Sequence, residues 1–256
     1  MSAVVLRLSG FAGALLAWEA IGRSGIFLDG YFPPPTEVFP QVVAMLGDRT
    51  FLEDLVATTL SVAIGLAIAT VIAVPLGLLL AHSTLLRTAS RSVLEFLRPI
   101  PPVAIVPLAA IWIGGGPLTK IGLAVFASLW PILYNTMYAV DEVEPLLVAT
   151  ARSCGYGPVR VMLRVVLPSV TPFALTGIRL AAPIALAVVI SAEMLTGTSG
   201  GLGSQILVAA SGVTRMDKVL AIVVLAGLLG LAVHAGLERL QRGLFGWAAA
   251  EREAAG

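Results

Sequence analysis

Glu193 is the acidic residue of this sequence that stands deepest in a long apolar segment. A carboxylate within a membrane is costly, and such residues are typical of transport pathways and gates. Alternatively, Glu193 lies at the outer interface and accepts hydrogen bonds from the amides of the glycine-rich turn 196–203. Arg179 lies 14 positions earlier, about 21 Å along a helix, which is too far for a pair. The residues alone leave both interpretations open.

Residue sets for catalysis or metal binding are absent from the sequence. His82 and His234 are far apart, and Cys154 is the only cysteine. There is no His-Glu-x-x-His, no pair of aspartates within an apolar segment and no serine–histidine arrangement at a shared depth. No Gly-x-x-x-x-Gly-Lys-Ser/Thr pattern for phosphate binding is present. We therefore expect no enzyme and no cofactor bound by this chain.

The elements that position these residues are membrane helices. Of the 256 residues, 58% are hydrophobic and 12% are charged, and the net charge of +1 gives no case for nucleic acid. A helix needs about 20 apolar residues to cross a membrane. The sequence predicts a single all-α integral membrane domain over residues 1–256 with six spans, at about 4–21, 56–81, 93–113, 118–140, 173–195 and 219–237.

Lysine and arginine predict the orientation of these spans. With the N-terminus in the cytosol, 11 basic residues lie on the cytosolic side and 5 on the outer side. Both termini and the segment 145–168 are then cytosolic. The segment 30–54 lies outside and has helical apolar spacing, which predicts an amphipathic surface helix.

Prolines mark the third span as irregular. Pro99, Pro101 and Pro102 follow Arg98 and interrupt the helical hydrogen bonds, which is tolerable where other helices or a cavity satisfy the carbonyl groups. We predict that a pathway or gate includes residues of this region, of the glycine-rich turn and of the fifth span: Arg98, Pro99, Pro101, Pro102, Glu193, Ser199 and Gly201. For Arg98, a role as an anchor at the cytosolic membrane edge is the alternative.

The segment 145–168 predicts two short helices joined by a bend. Pro145 suits the start of a helix, Gly155 allows the left-handed conformation that ends it, and Pro158 starts a second helix that ends before Pro168. Such a unit on the cytosolic surface can fit a cleft on a soluble partner and push the flanking spans. An interfacial helix without a partner is the alternative.

The segment resembles the EAA motif of ABC importer permeases, which reads EAA, three residues, Gly, nine residues and Ile-x-Leu-Pro. The EAA position is occupied by Ala149-Thr150-Ala151, and the glycine of the motif corresponds to Gly155. The end of the motif corresponds to Val165-Val166-Leu167-Pro168. The departures are Ala149 for glutamate, Thr150 for alanine and Val165 for isoleucine. Further stretches, such as residues 97–102 and 199–203, resemble the nitrate/sulfonate/taurine-type branch.

This resemblance implies a type I importer permease of six transmembrane helices in a bacterial inner membrane. Its implied partners are a second copy of the chain, a cytosolic ABC ATPase dimer that binds ATP and Mg²⁺, and an extracytoplasmic binding protein for a small anion such as a sulfonate, taurine or nitrate. The implied ATPase-coupling residues are Ala149, Thr150, Ala151, Arg152, Gly155, Tyr156, Val165, Leu167 and Pro168.

An ion-coupled secondary transporter is the alternative function. That class calls for several acidic residues within spans or for internal repeats with paired broken helices. Glu193 is the one strong acidic candidate, and the sequence shows no clear repeat of two halves.

Overall fold

The computed structural model describes residues 3–27, 30–197, 200–211 and 216–254, and these ranges contain helices and no strand. The all-α fold is thereby confirmed. The helices are α1 (Ala3–Arg23), α2 (Pro35–Leu46), α3 (Arg49–His82), α4 (Thr84–Leu97), α5 (Pro102–Ile113), α6 (Pro117–Asp141), α7 (Pro145–Ser153), α8 (Pro158–Val161), α9 (Leu167–Thr196), α10 (Leu202–Ser211) and α11 (Met216–Ala254).

Five of these helices, α1, α3, α6, α9 and α11, are long and apolar enough to cross a membrane. The prediction that prolines interrupt the third span, 93–113, is confirmed, because this span is not one continuous helix; counted as one bent span, it brings the number of spans to six. Its residues belong to α4 and α5, which meet at 88°. The break falls at 98–101 because proline lacks an N–H, clashes with the preceding turn and disfavours helix in the residue before it. With 12 residues, α5 is about 18 Å long and too short to span alone.

The centre of the bundle is formed by α3, α6 and α9, which approach one another closely at glycines. Gly65 and Gly77 of α3 and Gly177 of α9 all face α6, and a Cβ at any of them would meet α6 atoms at 2.5–2.9 Å. Small residues at such contacts let membrane helices pack tightly. The surrounding core includes many small and branched apolar side chains: Val62, Leu66, Ala69, Ala73, Ile132, Leu133, Ala181, Ala185 and Val189.

We expect Gly177→Leu to separate α9 from α6 and to lower the melting temperature of the purified protein. A Cβ on Gly177 would lie 2.9 Å from Ile132 Cα and 3.0 Å from the Pro131 carbonyl oxygen. Overpacking of this kind costs about 1–3 kcal/mol. Gly122→Leu is the control, since no other helix of the described chain comes within 4 Å of its Cβ position. Equal melting temperatures for the two variants would contradict the close α6–α9 contact.

The first helix lies apart from this bundle. In α1, no residue of the most apolar stretch is buried within the described chain. Near its end, Trp18 Nε1 donates to the Pro33 carbonyl oxygen at 3.2 Å. Glu19 accepts from the Thr36 hydroxyl at 3.0 Å. These bonds hold α1 to α2, the surface helix that the apolar spacing of 30–54 predicts.

Candidate functional site

The segment 145–168 is built around a turn that requires glycine. At the end of α7, the Gly155 N–H donates to the Arg152 carbonyl oxygen at 2.9 Å and the Tyr156 N–H donates to the Ala151 carbonyl oxygen at 3.1 Å. These two bonds form a Schellman motif, in which the residue after the helix is left-handed. Gly155 has φ of 81°. The glycine of the EAA-like spacing is therefore the residue that ends α7 and turns the chain.

Beyond the turn, the chain remains helical, in contrast to the prediction that a second short helix ends before Pro168. The helix α8 passes through a π-helical stretch, Met162–Val166, into α9. Pro168 directly follows the π-helical stretch and lies within this continuous helix. As a result, the predicted loop consists of one separate short helix, α7, and a turn that leads directly into a membrane span.

Buried apolar contacts fix this unit to the bundle. Ala151 of α7 is buried in a cluster with Ala139 at the end of α6, Val161 of α8, Val166 of the π-helical stretch and Val170 of α9. The helix α7 therefore packs against the ends of the two central helices, α6 and the helix that continues into α9.

The predicted coupling residues divide by exposure. Ala149, Thr150, Arg152, Gly155 and Pro168 are exposed, whereas Ala151 is buried and the other three, Tyr156, Val165 and Leu167, are half-buried. The exposed surface also carries apolar side chains: Leu146, Leu147, Val159 and Leu163. An apolar helix face surrounded by arginines is suited to a cleft on another protein.

A buried ion pair lies elsewhere in the bundle. Glu193 of α9 is 0% exposed, and its Oε1 lies 2.9 Å from Nζ of Lys120 in α6. Thr58 of α3 donates its hydroxyl to the carboxylate at 3.0 Å. One ion pair and one hydroxyl thus join the three central helices.

The same pair holds the glycine-rich turn. The Gly203 N–H donates to Glu193 Oε2 at 3.0 Å, and Lys120 Nζ donates to the Gly200 carbonyl oxygen at 3.2 Å. Asp54 of α3 accepts from the Gly201 N–H at 2.7 Å and from Gln205 Nε2 at 2.5 Å. We call Asp54, Thr58, Lys120, Glu193, Gln205 and 200–203 the turn network.

Glycine is required twice in the turn network. Gly201 has φ of 117°, and any Cβ there would collide with the Glu193 carboxylate. A Cβ on Gly203 would collide with the Ile190 carbonyl oxygen and lie 2.7 Å from Glu193 Cβ. The backbone must therefore pass directly over the carboxylate.

The hydrogen bond from Gly203 agrees with the interpretation that Glu193 caps the turn, and the carboxylate is buried within the protein. It faces no open path in this conformation, so a gate role for Glu193 stays a prediction. Lys120 was missed as its partner because the two residues are 73 positions apart and no local spacing links them.

Arg98 lies far from Glu193 in sequence and lines a separate cavity. It is exposed at the α4–α5 bend, with its guanidinium carbon 4.5 Å from the centre of the Tyr134 ring. A cavity of about 500 Å³ is lined by Arg98, Pro102 and residues of α6 and α9, and a neighbouring one includes Pro99. Pro101 caps α5. Ser199 lies outside the described residues. The predicted pathway residues therefore form two groups: one at the bend and one in the turn network.

The bundle has the fold of a type I ABC importer permease. The membrane chain of the MetNI methionine ABC transporter matches with a TM-score of 0.63 at 21% identity, covering 79% of this chain and 97% of that one. A bacterial ABC transporter involved in the import of alginate matches with a TM-score of 0.64 at 14% identity, covering 94% and 93%. At these identities the similarity concerns the fold.

Sequence comparison gives the family. Residues 73–246 match the model of the binding-protein-dependent transport system inner membrane component. The chain is 32% identical over 250 residues to a putative ABC transporter permease protein of Methanocaldococcus jannaschii, covering 95% of this chain and 92% of that protein. This chain therefore belongs to the family of binding-protein-dependent transport system inner membrane components, which are permease subunits and not enzymes.

Two further relatives have names that include a solute. The chain is 28% identical over 249 residues to the taurine transport system permease protein TauC of Escherichia coli, covering 95% of this chain and 90% of TauC. It is 26% identical over 244 residues to the bicarbonate transport system permease protein CmpB of Synechocystis sp., covering 91% and 86%.

Proposed function

We propose that this chain pairs with a second copy of itself to form the membrane pathway of an ATP-driven importer for a small anionic solute. A pair of cytosolic ABC ATPases binds α7 and the Gly155 turn, and an extracytoplasmic binding protein delivers the solute. ATP and Mg²⁺ bind to the ATPases. Both termini of this chain lie in the cytosol.

The observation that carries the coupling proposal is the contrast between the two sides of α7. One side exposes apolar and arginine side chains, and the other buries Ala151 between the ends of α6 and α9. A partner that moves α7 thereby moves the core of the bundle. Ala149 stands where the EAA motif has glutamate, and α7 and the Gly155 turn form with alanine at this position.

Support for an anionic solute comes from the relatives that are named for taurine and bicarbonate transport. Ion-coupled transport has less support, because Glu193 already has Lys120 as its counter-ion and so lacks the free carboxylate that a proton or cation would use.

Cys154 provides a direct test because it is the chain's only cysteine and is exposed at the Gly155 turn. We expect a membrane-impermeant maleimide to label it in inside-out vesicles and not in right-side-out vesicles. Co-expression of the partner ATPase should slow this labelling by about tenfold or more, since a docked interface excludes solvent from its core.

Two single-cysteine variants in a Cys154→Ser background are the controls. Ala89→Cys is exposed on α4 and reports the cytosolic side away from α7, and Ala44→Cys is exposed on α2 and reports the outer side. Equal labelling of Cys154 with and without the ATPase would contradict the docking site, and labelling from outside would contradict the orientation.

A further inference from the structure

The cavity at the α4–α5 bend is lined by residues whose side-chain hydrogen-bond donors have no acceptor in the described chain. Trp130 lines it, is 9% exposed, and its indole N–H is buried without a hydrogen-bond partner. Tyr134 and Tyr138 line the same cavity. Arg98, which lies over the Tyr134 ring, contributes five guanidinium N–H donors.

The charges around the cavity are unbalanced. Two other arginines near the bend have acidic partners: Arg87 Nη1 lies 2.9 Å from Asp141 Oδ1, and Arg91 Nε lies 2.8 Å from Glu95 Oε1. Within the described residues Arg98 forms no ion pair, and no carboxylate lines the cavity that it shares with Trp130. The cavity therefore combines one unpaired positive charge with neutral donors.

We propose that this cavity is a binding site for a small oxyanion, a sulfonate or a carboxylate, with Arg98 as the cationic ligand and Tyr134 as the platform that orients the guanidinium. A planar guanidinium matches two oxygens of such an anion. The volume of about 500 Å³ lies within the usual range for small-ligand sites.

The other walls fit such a solute. Leu180 and Ile184 of α9 and Pro102 of α5 also line the cavity and are apolar, so they can contact the carbon-bearing part of an organic anion. The assignment of this site to the transport path rests on the proposed function. The binding of an anion at Arg98 does not depend on the proposed function.

Fluorescence of Trp130 tests the proposal with the full chain in lipid nanodiscs. The other three tryptophans, Trp18, Trp112 and Trp247, are replaced by phenylalanine, and the sample is titrated with methanesulfonate, taurine and bicarbonate at constant ionic strength. We expect a saturable change in emission with at least one of these anions. Tetramethylammonium chloride should produce none.

Three arginine variants locate the site. Arg98→Gln should weaken binding by about tenfold or more, the size of one hydrogen bond to a charged group, while Arg98→Lys should retain saturable but weaker binding. Arg91→Gln removes a neighbouring positive charge outside the cavity and should change affinity by less than about twofold, as expected for an exposed, screened charge.

Three results would overturn the anion site: no saturable change with any of the anions, unchanged binding in Arg98→Gln, or an equal loss in Arg91→Gln, which would indicate diffuse attraction. ATPase protection of Cys154 is measured on the same variants. Loss of Cys154 protection with intact anion binding would refute the proposed function alone. Intact Cys154 protection with no anion binding would refute this site alone.

Discussion

Glu193→Ala is expected to destabilise the protein more than any other single substitution considered for this chain. It leaves the Lys120 ammonium buried without a counter-ion, and it also removes the acceptor for Thr58 and for the Gly203 N–H. Breaking a buried pair in this way costs about 3–5 kcal/mol. The measurement is the melting temperature and the yield of monodisperse protein after purification in detergent.

A matched double variant separates the charge from the hydrogen bonds. Glu193→Gln keeps an oxygen that can accept from Gly203, and Lys120→Met keeps the apolar stem while removing the charge. We expect the double variant to be more stable than Glu193→Ala, and its loss to be smaller than the sum of the losses in the two single variants, because both charges leave together. Additive losses would show that the two side chains do not interact.

Gly155→Val is expected to abolish coupled transport while the protein still inserts and folds. The obstacle is conformational. Beyond its chain neighbours, no described residue comes within 4 Å of the Gly155 Cβ position, but φ of 81° is strongly disfavoured for a β-branched residue, at a cost of about 1–3 kcal/mol. The turn then reorients and α7 no longer presents its exposed face to the ATPase. The measurement is ATPase activity stimulated by the solute-loaded binding protein in the reconstituted complex.

Two controls accompany Gly155→Val. Gly157→Val places the same side chain two residues further on, at an exposed position with φ of −69° and no nearby atom, so stimulated ATPase activity should persist. Gly155→Asn should retain much of the activity because asparagine tolerates the left-handed region. Full stimulation in Gly155→Val would rule out the turn as a coupling element.

Local chemistry explains what the sequence predicts well. The glycine at position 155 and the proline at 145 define the ends of α7 through backbone preferences alone, and the family resemblance at 149–168 depends on the same spacing. Prolines 99, 101 and 102 indicate an interruption of the third span. Its angle of 88° could not be predicted, because it depends on how α4 and α5 pack against the remaining helices.

Tertiary contacts explain what the sequence does not reveal. Glu193 is recognisable as costly, yet its partners Lys120 and Thr58 come from two other helices, and their distances in sequence carry no periodic signal. Similarly, Pro168 suggests a helix end in isolation, but the π-helical stretch before it carries the chain into α9 without a break. The donors of the Arg98 cavity come from two separate stretches of the chain that only the bend brings together.

The long separation within the turn network has a consequence for how the protein is made. Lys120 leaves the ribosome 73 residues before Glu193, an interval of roughly 4–15 s at a synthesis rate of about 5–20 residues per second. During that time α6 carries the Lys120 ammonium before its ion-pair partner Glu193 has been made. We therefore expect the final packing of α6 to wait for α9, whereas α1, which buries none of its apolar stretch against the described chain, does not depend on later helices in this way.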